Sequence, residues 1–336
     1  MPAGDVAPLL EVDELTVRLA PRHGVAFDAV HRVSFALAPG QTFCLVGESG
    51  CGKSLTALAI LGLIPDIGRI VSGRILFAGQ DLAGASEAAL RTVRGRRIGM
   101  VFQEPMTSLN PVLRVGDQVA EVMEYHWRMG HREALQRTIE LFRQVGIPSP
   151  DIRLRDYPHQ LSGGLRQRVM IAMALACDPV LLLADEPTTA LDVTIQGQIL
   201  TLLREQAQQR GMGLLLITHD LGVVASMADA VGVMYAGRMV ERASAADLFA
   251  CPLHPYTRGL MQSAPTLDRL DQARLPAIAG SVPTPGELPE GCLFRPRCAE
   301  ADERCLRRPP RVRLGCREVC CWLHAQAPSA QIVAGD

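Results

Sequence analysis

The strongest chemical signal in the sequence is a glycine-rich segment that ends in Lys-Ser. Residues 47–54 read GESGCGKS, between an apolar run at 42–46 and a second run at 55–63 that predicts a helix. Glycines at these spacings let backbone N–H groups surround phosphate oxygens, and the start of a helix adds its positive dipole end. In such a loop Lys53 reaches the β- and γ-phosphates of a nucleotide, and the Ser54 hydroxyl binds Mg²⁺. The predicted nucleotide-contacting residues are Gly47, Glu48, Ser49, Gly50, Cys51, Gly52, Lys53 and Ser54.

Lysine usage supports this interpretation. Lys53 is the only lysine among the 34 Lys and Arg residues of the chain. Codon bias toward arginine would explain the general pattern, but not why the one lysine lies in the glycine-rich segment. A compact ammonium on a flexible stem fits a phosphate-binding loop, whereas a planar guanidinium does not.

A second segment carries two carboxylates at the end of an apolar run. Residues 180–186 read VLLLADE, so a buried strand would deliver Asp185 and Glu186 to the carboxyl edge of a sheet, where α/β proteins bind ligands. Asp185 would hold Mg²⁺ through its water shell, and Glu186 would orient or deprotonate an attacking water. A strand that ends in Asp-Glu is weak evidence by itself, because such an end is often only solvated. Together with the glycine-rich segment, it predicts hydrolysis of a nucleoside triphosphate.

A third segment offers a second anion site at the start of a helix. Residues 161–167 read LSGGLRQ and open an apolar helical run. Ser162 is suited to cap that helix, and the N–H groups of Gly163 and Gly164 would remain available to an anion. This segment cannot easily serve the same phosphates as residues 47–54. The simplest interpretation is that it serves the nucleotide of a second subunit.

The elements that must position these residues alternate between strand and helix. Continuous apolar runs at 42–46, 180–184 and 214–218 are typical of buried parallel strands, and residues 193–210 predict the helix between the last two. Strand, helix and strand in this order indicate a parallel sheet covered on both faces. The sequence therefore predicts an α/β fold with a P-loop NTPase core built on a mostly parallel sheet.

Other segments predict subdomains around that core. Alternating patterns at 10–19 and 32–37 predict an antiparallel β subdomain, and residues 111–175 are mostly helical in pattern. Pro, Arg and Cys become frequent and regular periodicity fades after about residue 250, so we place a boundary near Ala245. A small irregular Cys-rich C-terminal domain is expected beyond it.

Composition excludes several classes of function. The net charge is -1 and aromatic residues make up 4%, so neither a global positive field nor a stacking platform for nucleic acid is expected. No apolar run reaches the roughly 18 residues that span a bilayer. The N-terminal sequence MPAGDVAPLL lacks the pattern of a secretory signal, which predicts a cytoplasmic location.

Taken together, these motifs resemble those of the ATP-binding subunits of ABC transporters. LSGGLRQ is similar to the family signature, with Leu165 where Gln or Met is commoner, and Gln103 in VFQEP resembles the Q-loop glutamine. Asp192 stands in a segment like the D-loop, and His219 in LLLITHD resembles the switch histidine. The resemblance implies catalytic roles for Gln103 and His219 beside Glu186, with Gln103 also a ligand of Mg²⁺.

The resemblance also implies how the chain is organised. It covers an ABC-type nucleotide-binding domain at 8–245, with a helical subdomain at about 104–176. In this family two subunits enclose ATP between the phosphate loop of one and the signature of the other, and closure drives a membrane permease. An aromatic residue before the phosphate loop usually stacks on adenine. Phe27 is the aromatic residue near that position, and it could equally belong to the core of a strand.

A narrower resemblance points to the oligopeptide/dipeptide importers. It rests on FQEPMTSLNPV at 102–112, DEPTTALDVTIQ at 185–196 and HPYTRGL at 254–260. This resemblance implies a peripheral ATPase on the cytoplasmic face of the inner membrane, coupled to uptake of di- and oligopeptides. Its partners would be a second ABC ATPase subunit, two transmembrane permease subunits and an extracytoplasmic solute-binding protein. TTALDVTIQ is typical of the first of two paired ATPases, which suggests a heterodimer but leaves a homodimer open.

Six of the ten cysteines fall in the last 45 residues of the chain. In a cytosolic protein, several cysteines close together near the C-terminus indicate ligands of a metal ion or a metal cluster more readily than disulfide bonds. In the C-terminal region 246–336, residues 280–324 resemble a cysteine motif of the same importers that ligates a [4Fe–4S] cluster. The implied ligands are Cys292, Cys298, Cys305 and Cys321. Cys320 could replace Cys321, Cys316 is surplus, and zinc or unliganded thiols remain alternatives to the cluster.

Other functions agree with only part of the sequence. Relatives of the peptide importers serve nickel chelates, glutathione or other small solutes, and the sequence does not choose among them. A soluble ABC-type ATPase of nucleic-acid or cluster metabolism would usually carry two cassettes, a coiled-coil insertion or a basic patch. A cluster-bearing redox protein would not need the complete set of ATPase motifs. The predicted cofactors are therefore ATP, Mg²⁺ and a [4Fe–4S] cluster, and nucleic acid is not an expected partner.

Overall fold

The structure is a computed structural model that describes residues 7–189, 191–263, 278–284 and 286–333. The strands, in chain order, are β1 (Leu10–Leu19), β2 (Phe27–Leu37), β3 (Thr42–Val46), β4 (Gly68–Phe77), β5 (Gln80–Asp81), β6 (Ile98–Val101), β7 (Leu181–Asp185), β8 (Gly213–Thr218), β9 (Ala230–Tyr235), β10 (Arg238–Ser244), β11 (Arg311–Leu314), β12 (Arg317–Cys320) and β13 (Gln331–Val333).

The α-helices, in chain order, are α1 (Lys53–Ile60), α2 (Glu87–Val93), α3 (Pro105–Ser108), α4 (Val115–Trp127), α5 (His131–Gln144), α6 (Pro150–Arg153), α7 (Gly163–Leu175), α8 (Val193–Arg210), α9 (Leu221–Met227), α10 (Ala245–Ala250) and α11 (Pro255–Ser263). Short 3-10 turns lie at Pro158–Gln160, Arg295–Arg297, Glu303–Leu306 and Trp322–His324. Among the described residues, no helix is long and apolar enough to cross a bilayer.

The elements form two compact units. The first contains Met1–Leu9, Leu37–Gln41 and Gly84–Leu216, and the second contains Leu10–Ala36, Thr42–Ala83 and Ile217–Asp336. The first unit thus includes the predicted helical subdomain, and the second unit includes the phosphate loop and the C-terminal cysteines.

In the first unit, a parallel strand pair lies beside a set of packed helices. β6 pairs with β7 in parallel register, and every residue of both strands is buried. Residues 181–184 of the predicted apolar run therefore form a buried parallel strand, whereas Val180, which the prediction included, precedes β7 and is 42% exposed. Helices α4, α5 and α7 pack on one another. On α4, Val115, Val119 and Met123 are buried at a helical spacing of four residues.

The second unit contains the predicted antiparallel β subdomain and a second sheet. The first sheet has the order β2-β1-β4-β5, and β1 pairs with β4 over nearly its whole length. In the other sheet β3 pairs in parallel with β9, and β9 forms a hairpin with β10. Ala236 and Gly237 form the turn of this hairpin, with φ values of 45° and 80°.

The C-terminal region is more regular than its composition indicates. β12 pairs antiparallel with β10, β11 pairs with β12, and β13 pairs with β11. Val312 and Val319 are buried with Leu253 in a small apolar cluster. These strands have only three or four residues, which is too short for an alternating pattern to stand out among prolines and arginines. For the same reason the sequence did not predict β6, whose four residues read IGMV.

A buried carboxylate fixes the start of α11. Glu241 on β10 is 1% exposed, and its two carboxylate oxygens accept the backbone N–H groups of Leu253 and His254, each at 2.8 Å. A guanidinium nitrogen of Arg317 lies 3.6 Å from the same carboxylate. The Nδ1 atom of His254 then accepts the backbone N–H of Tyr256 at 3.0 Å. Glu241 thus holds the turn that positions Tyr256.

We expect Glu241→Ala to lower the free energy of unfolding by about 2–5 kcal/mol, because two buried N–H groups lose their acceptor. Denaturant unfolding of the full chain measures the change. Glu205→Ala, at an exposed position on α8, is the control, with an expected change within about 0.5 kcal/mol. Equal stability of the two variants would contradict this account of the turn.

Candidate functional site

The glycine-rich segment forms the predicted loop between β3 and α1, within the second unit. Gly47 has φ 152°, and a Cβ atom there would lie 2.2 Å from the carbonyl oxygen of Met234 on β9. Gly52 has φ 98°, and a Cβ atom there would lie 2.7 Å from the carbonyl oxygen of Ala29 on β2. Both positions therefore require glycine, for backbone conformation and for space. Gly52 is also the N-cap of α1, so no side chain covers that helix end.

Lys53 points back into this loop. Its side chain is buried, and the ammonium donates to the carbonyl oxygens of Gly47 at 2.8 Å and Glu48 at 3.0 Å. The Sγ atom of Cys51 lies 3.6 Å from the same ammonium. A positive charge thus lies inside a loop at the N-terminus of a helix, which is a suitable arrangement for phosphate groups.

Two residues from far along the chain hold this loop, and sequence reasoning did not identify them as part of the site. The hydroxyl of Tyr256 accepts the backbone N–H of Glu48 at 2.9 Å. The guanidinium of Arg297 donates to both carboxylate oxygens of Glu48, at 2.7 and 2.9 Å. Tyr256 lies in the HPYTRGL motif and Arg297 directly precedes Cys298, but neither motif indicates which residue it contacts.

The first unit brings Gln103 and Glu186 together. Parallel pairing places the ends of β6 and β7 at one edge, and the Gln103 amide donates to the Glu186 carboxylate at 3.2 Å. The Thr189 hydroxyl donates to the same carboxylate oxygen at 2.9 Å. Asp185 ends β7 and is 6% exposed. Glu186 has φ 43°, a conformation that is costly for a residue with a side chain and that is common at functional sites.

The signature segment of the first unit also takes its predicted local form. Ser162 is the N-cap of α7, and its hydroxyl accepts the backbone N–H of Leu165 at 3.4 Å. Gly163 and Gly164 form the first turn, and a Cβ atom at Gly164 would lie 2.8 Å from Ile195. A Cβ atom at Gly164 would therefore force the Ile195 side chain to shift, whereas a Cβ atom at Gly163 meets only an ordinary contact at 3.5 Å.

The remaining predicted nucleotide residues are placed as follows. Asp192 is the N-cap of α8, and its carboxylate accepts the backbone N–H of Ile195 at 2.9 Å. His219 is exposed directly after β8, and Asp220 caps α9 by accepting the Gly222 N–H at 2.7 Å. Phe27 is half-buried at the first position of β2. Asp192 thus has a structural role within its own chain.

The four implied cluster ligands share one pocket in the second unit. Cys292, Cys298, Cys305 and Cys321 line it together with Phe294 and Trp322. The backbone N–H of Cys292 donates to the carbonyl of Cys305 at 3.0 Å. Cys320 lines neighbouring cavities instead, and Cys316 is exposed.

The electrostatics of this pocket oppose free thiolates. Burial, together with repulsion from the other three cysteines, raises the pKa of the Cys321 thiol to about 12. Burial also raises the pKa of the Cys292 and Cys298 thiols. Among the described residues, no three His, Cys, Asp or Glu side chains form a group that could hold a single metal ion.

Comparison with known proteins adds two matches to protein families. Residues 30–189 match the ABC transporter family, and residues 240–305 match the C-terminal region of oligopeptide/dipeptide transporters. The chain is 48% identical over 330 residues to the oligopeptide transport ATP-binding protein AppD of Bacillus subtilis, covering 97% of this chain and 100% of AppD. It is 48% identical over 306 residues to the dipeptide transport ATP-binding protein DppD of Escherichia coli, covering 91% and 93% of the two chains.

Solved structures agree with this relationship. The dimeric post-hydrolysis structure of the ATP-binding cassette MJ0796, bound to ADP and Pi, matches with a TM-score of 0.63 at 26% identity, covering 70% of this chain and 98% of that one. CbiO1 of Clostridium perfringens, part of the ABC transporter complex cbiONQ, matches with a TM-score of 0.60 at 28% identity, covering 73% and 91%. The chain is an ATPase that belongs to the ABC transporter family, and it carries the C-terminal region typical of oligopeptide/dipeptide transporters.

Proposed function

We propose that this chain couples the binding and hydrolysis of ATP to the uptake of di- and oligopeptides across the cytoplasmic membrane. The observation that carries the proposal is the closed phosphate loop around Lys53, in a chain that also has the C-terminal region of peptide transporters. Relatives described as oligopeptide and dipeptide transport proteins, aligned over nearly the whole chain, favour peptides over nickel chelates, glutathione or other small solutes.

The predicted site residues have separate roles in this reaction. Lys53 and the N–H groups of the phosphate loop bind the β- and γ-phosphates. Ser54, Gln103 and Asp185 would hold Mg²⁺, which would neutralise phosphate charge. Glu186 orients the attacking water and accepts its proton.

Further residues complete the nucleotide contacts. His219 contacts the γ-phosphate, Phe27 stacks on adenine, and Asp192 acts near the nucleotide at the subunit interface. The contact between Gln103 and Glu186 supports the role proposed for Glu186, because it holds the carboxylate that must orient water.

The roles of Glu186 and Lys53 can be separated by substitution. Glu186→Gln should bind a fluorescent ATP analogue with nearly unchanged affinity, but turnover should fall by about 10²–10³-fold or more because the water-orienting carboxylate is lost. Lys53→Ala should weaken binding itself. Phosphate release by the assembled importer, stimulated by peptide-loaded binding protein, measures turnover. Wild-type turnover in Glu186→Gln would refute the role of this carboxylate, and a lack of stimulation by peptides would refute peptide uptake.

We propose that the chain works as one ATPase of a pair, with a sister subunit as the other member. Ser162, Gly163 and Gly164 then contact the γ-phosphate bound by the partner. The exposed start of α7 supports this role, and so does the dimeric state of the related cassette MJ0796. The TTALDVTIQ segment favours a heterodimer, because it is typical of one member of such pairs.

If the signature of one subunit contacts the nucleotide of the other, a substitution in the signature should impair the assembled complex but not ATP binding by the isolated chain. Gly163→Asp should leave ATP binding by the isolated chain unchanged, since a Cβ atom fits there, but it should abolish ATPase activity of the assembled complex by repelling the partner's phosphate. Gly130→Asp is the control, because the same change at the exposed N-cap of α5 meets nothing within 4 Å. Lost ATP binding in the isolated Gly163→Asp chain would show that the signature acts within its own subunit.

We further propose that the chain is peripheral at the cytoplasmic face of the membrane, where it binds two permease subunits. A solute-binding protein on the other side of the membrane delivers the solute to these subunits. A groove of about 740 Å³ in the first unit suits a permease segment. Leu113 and Tyr125 line it and are 41% and 54% exposed, and Met106 nearby on the chain is 57% exposed. These apolar side chains would be covered by the permease.

We propose that the four-cysteine pocket holds a [4Fe–4S] cluster. Four thiols in one pocket are the donor set that such a cluster requires, and their position beside Trp322 supports the choice of Cys321 over Cys320. When bound, the cluster supplies cross-links among four segments of a region with a small apolar core. Its proposed role is structural, because it would tie together segments that lie far apart in the sequence.

Metal analysis tests this proposal. Protein purified without oxygen should be brown and contain about four irons per chain. Cys298→Ser and Cys321→Ser should lose the iron, whereas the controls Cys320→Ser and Cys316→Ser should retain it. Stoichiometric zinc without iron would refute the cluster. If iron is retained by Cys321→Ser but lost from Cys320→Ser, the fourth ligand is Cys320 and not Cys321.

A further inference from the structure

The segment between Cys292 and Cys298 makes a direct ionic contact with the phosphate loop. The guanidinium of Arg297 donates to both carboxylate oxygens of Glu48, at 2.7 and 2.9 Å. The Arg297 side chain is only 4% exposed, while that of Glu48 is 31% exposed. A bidentate pair with one buried member is a strong and directional contact, unlike an ordinary surface ion pair.

Aromatic rings fix Arg297 in this position. The centre of its guanidinium lies 5.7 Å from the ring centroid of Tyr235 and 5.9 Å from that of Phe294, within the range of cation–π attraction. Both rings also pack against Tyr256, at centroid distances of 4.7 and 5.4 Å. The Tyr256 hydroxyl accepts the backbone N–H of Glu48 at 2.9 Å. Glu48 is therefore held at its backbone and at its carboxylate by one packed cluster.

Glu48 transmits this support to Lys53. The carbonyl oxygen of Glu48 accepts from the Lys53 ammonium at 3.0 Å. The carboxylate of the same residue belongs to an anion-binding loop, where an unpaired negative charge would repel phosphate groups. Arg297 thus has two effects on the loop, because it fixes the backbone that orients Lys53 and it neutralises the carboxylate.

We propose that Arg297 is a positioning residue for ATP, which acts through Glu48 to keep the phosphate loop in its binding shape. The inference rests on the proposed nucleotide role of residues 47–54. It makes the cysteine-bearing segment a structural part of the nucleotide site, although the two are about 250 residues apart in sequence.

The test is the dissociation constant of a fluorescent ATP analogue with Mg²⁺, measured on the full chain. Arg297→Gln should raise it about tenfold, the effect expected for loss of a charge-assisted bidentate contact. Arg297→Lys keeps the charge and should restore part of the affinity, and it serves as the second variant if Arg297→Gln does not fold. Arg295→Gln removes a charge from the same 3-10 turn without breaking the pair with Glu48, and it should bind as the wild type does.

A double-mutant cycle separates positioning from general support. In a Glu48→Gln background, Arg297→Gln should cause no further loss, because its effect passes through the Glu48 carboxylate. A damaged C-terminal region would instead lower the affinity equally in both backgrounds, and that result would overturn the proposal. An unchanged dissociation constant in Arg297→Gln, with binding lost in Lys53→Ala, would also overturn it while leaving the proposed ATP site intact. Unchanged binding in Lys53→Ala would instead refute the proposed site itself.

Discussion

The ammonium of Lys53 lies between the carbonyl oxygens of Gly47 and Glu48, at 2.8 and 3.0 Å, and the proposed nucleotide site depends on this arrangement. A buried charge is costly unless polar groups surround it, so the backbone of the loop has to stay in one shape. Neighbouring main chain enforces that shape, because Met234 and Ala29 leave no room for a Cβ atom at Gly47 or Gly52. The backbone N–H of Gly237 also donates to the Cys51 carbonyl at 3.1 Å, which ties the loop to the end of the β9–β10 hairpin.

Parallel strand pairing imposes a similar constraint in the first unit. β6 and β7 are both fully buried, so polar groups are confined to the residues that follow them. Gln103 and Glu186 meet there because the two strands end at one edge. The positive φ of Glu186 turns the chain sharply after β7, and the Thr189 hydroxyl stabilises its carboxylate at 2.9 Å. A carboxylate held by two donors is fixed in direction, as the role proposed for Glu186 in orienting a water molecule requires.

Much of this architecture could be predicted because each long element has its own periodicity. The apolar run before Asp185, the helix Val193–Arg210 and the glycine-rich loop were all apparent from the residues alone. Short elements were not, since three or four residues such as β6 or β13 carry no measurable period. The contacts of Glu48 were also hidden, because Tyr256 and Arg297 are 208 and 249 residues away and no local pattern encodes the pairing.

The segment between Cys292 and Cys298 borders both the cysteine pocket and the phosphate loop, and the two sites differ in their electrostatics. Burial, with a smaller contribution from the neighbouring cysteines, raises the pKa of the Cys321 thiol to about 12, so ligation of a metal would have to displace a proton from this thiol. Arg297 lies next to Cys298, but two of its guanidinium nitrogens donate to the Glu48 carboxylate and its Nε atom donates to the Ala279 carbonyl oxygen at 2.9 Å. Arg297 therefore compensates the carboxylate of the loop and not the cysteines, so a metal centre bound by the proposed ligands would have to supply the positive charge that stabilises their thiolates. One side of the segment thus bears the proposed ligands of a cluster, and the other side keeps the proposed anion site free of an unpaired negative charge.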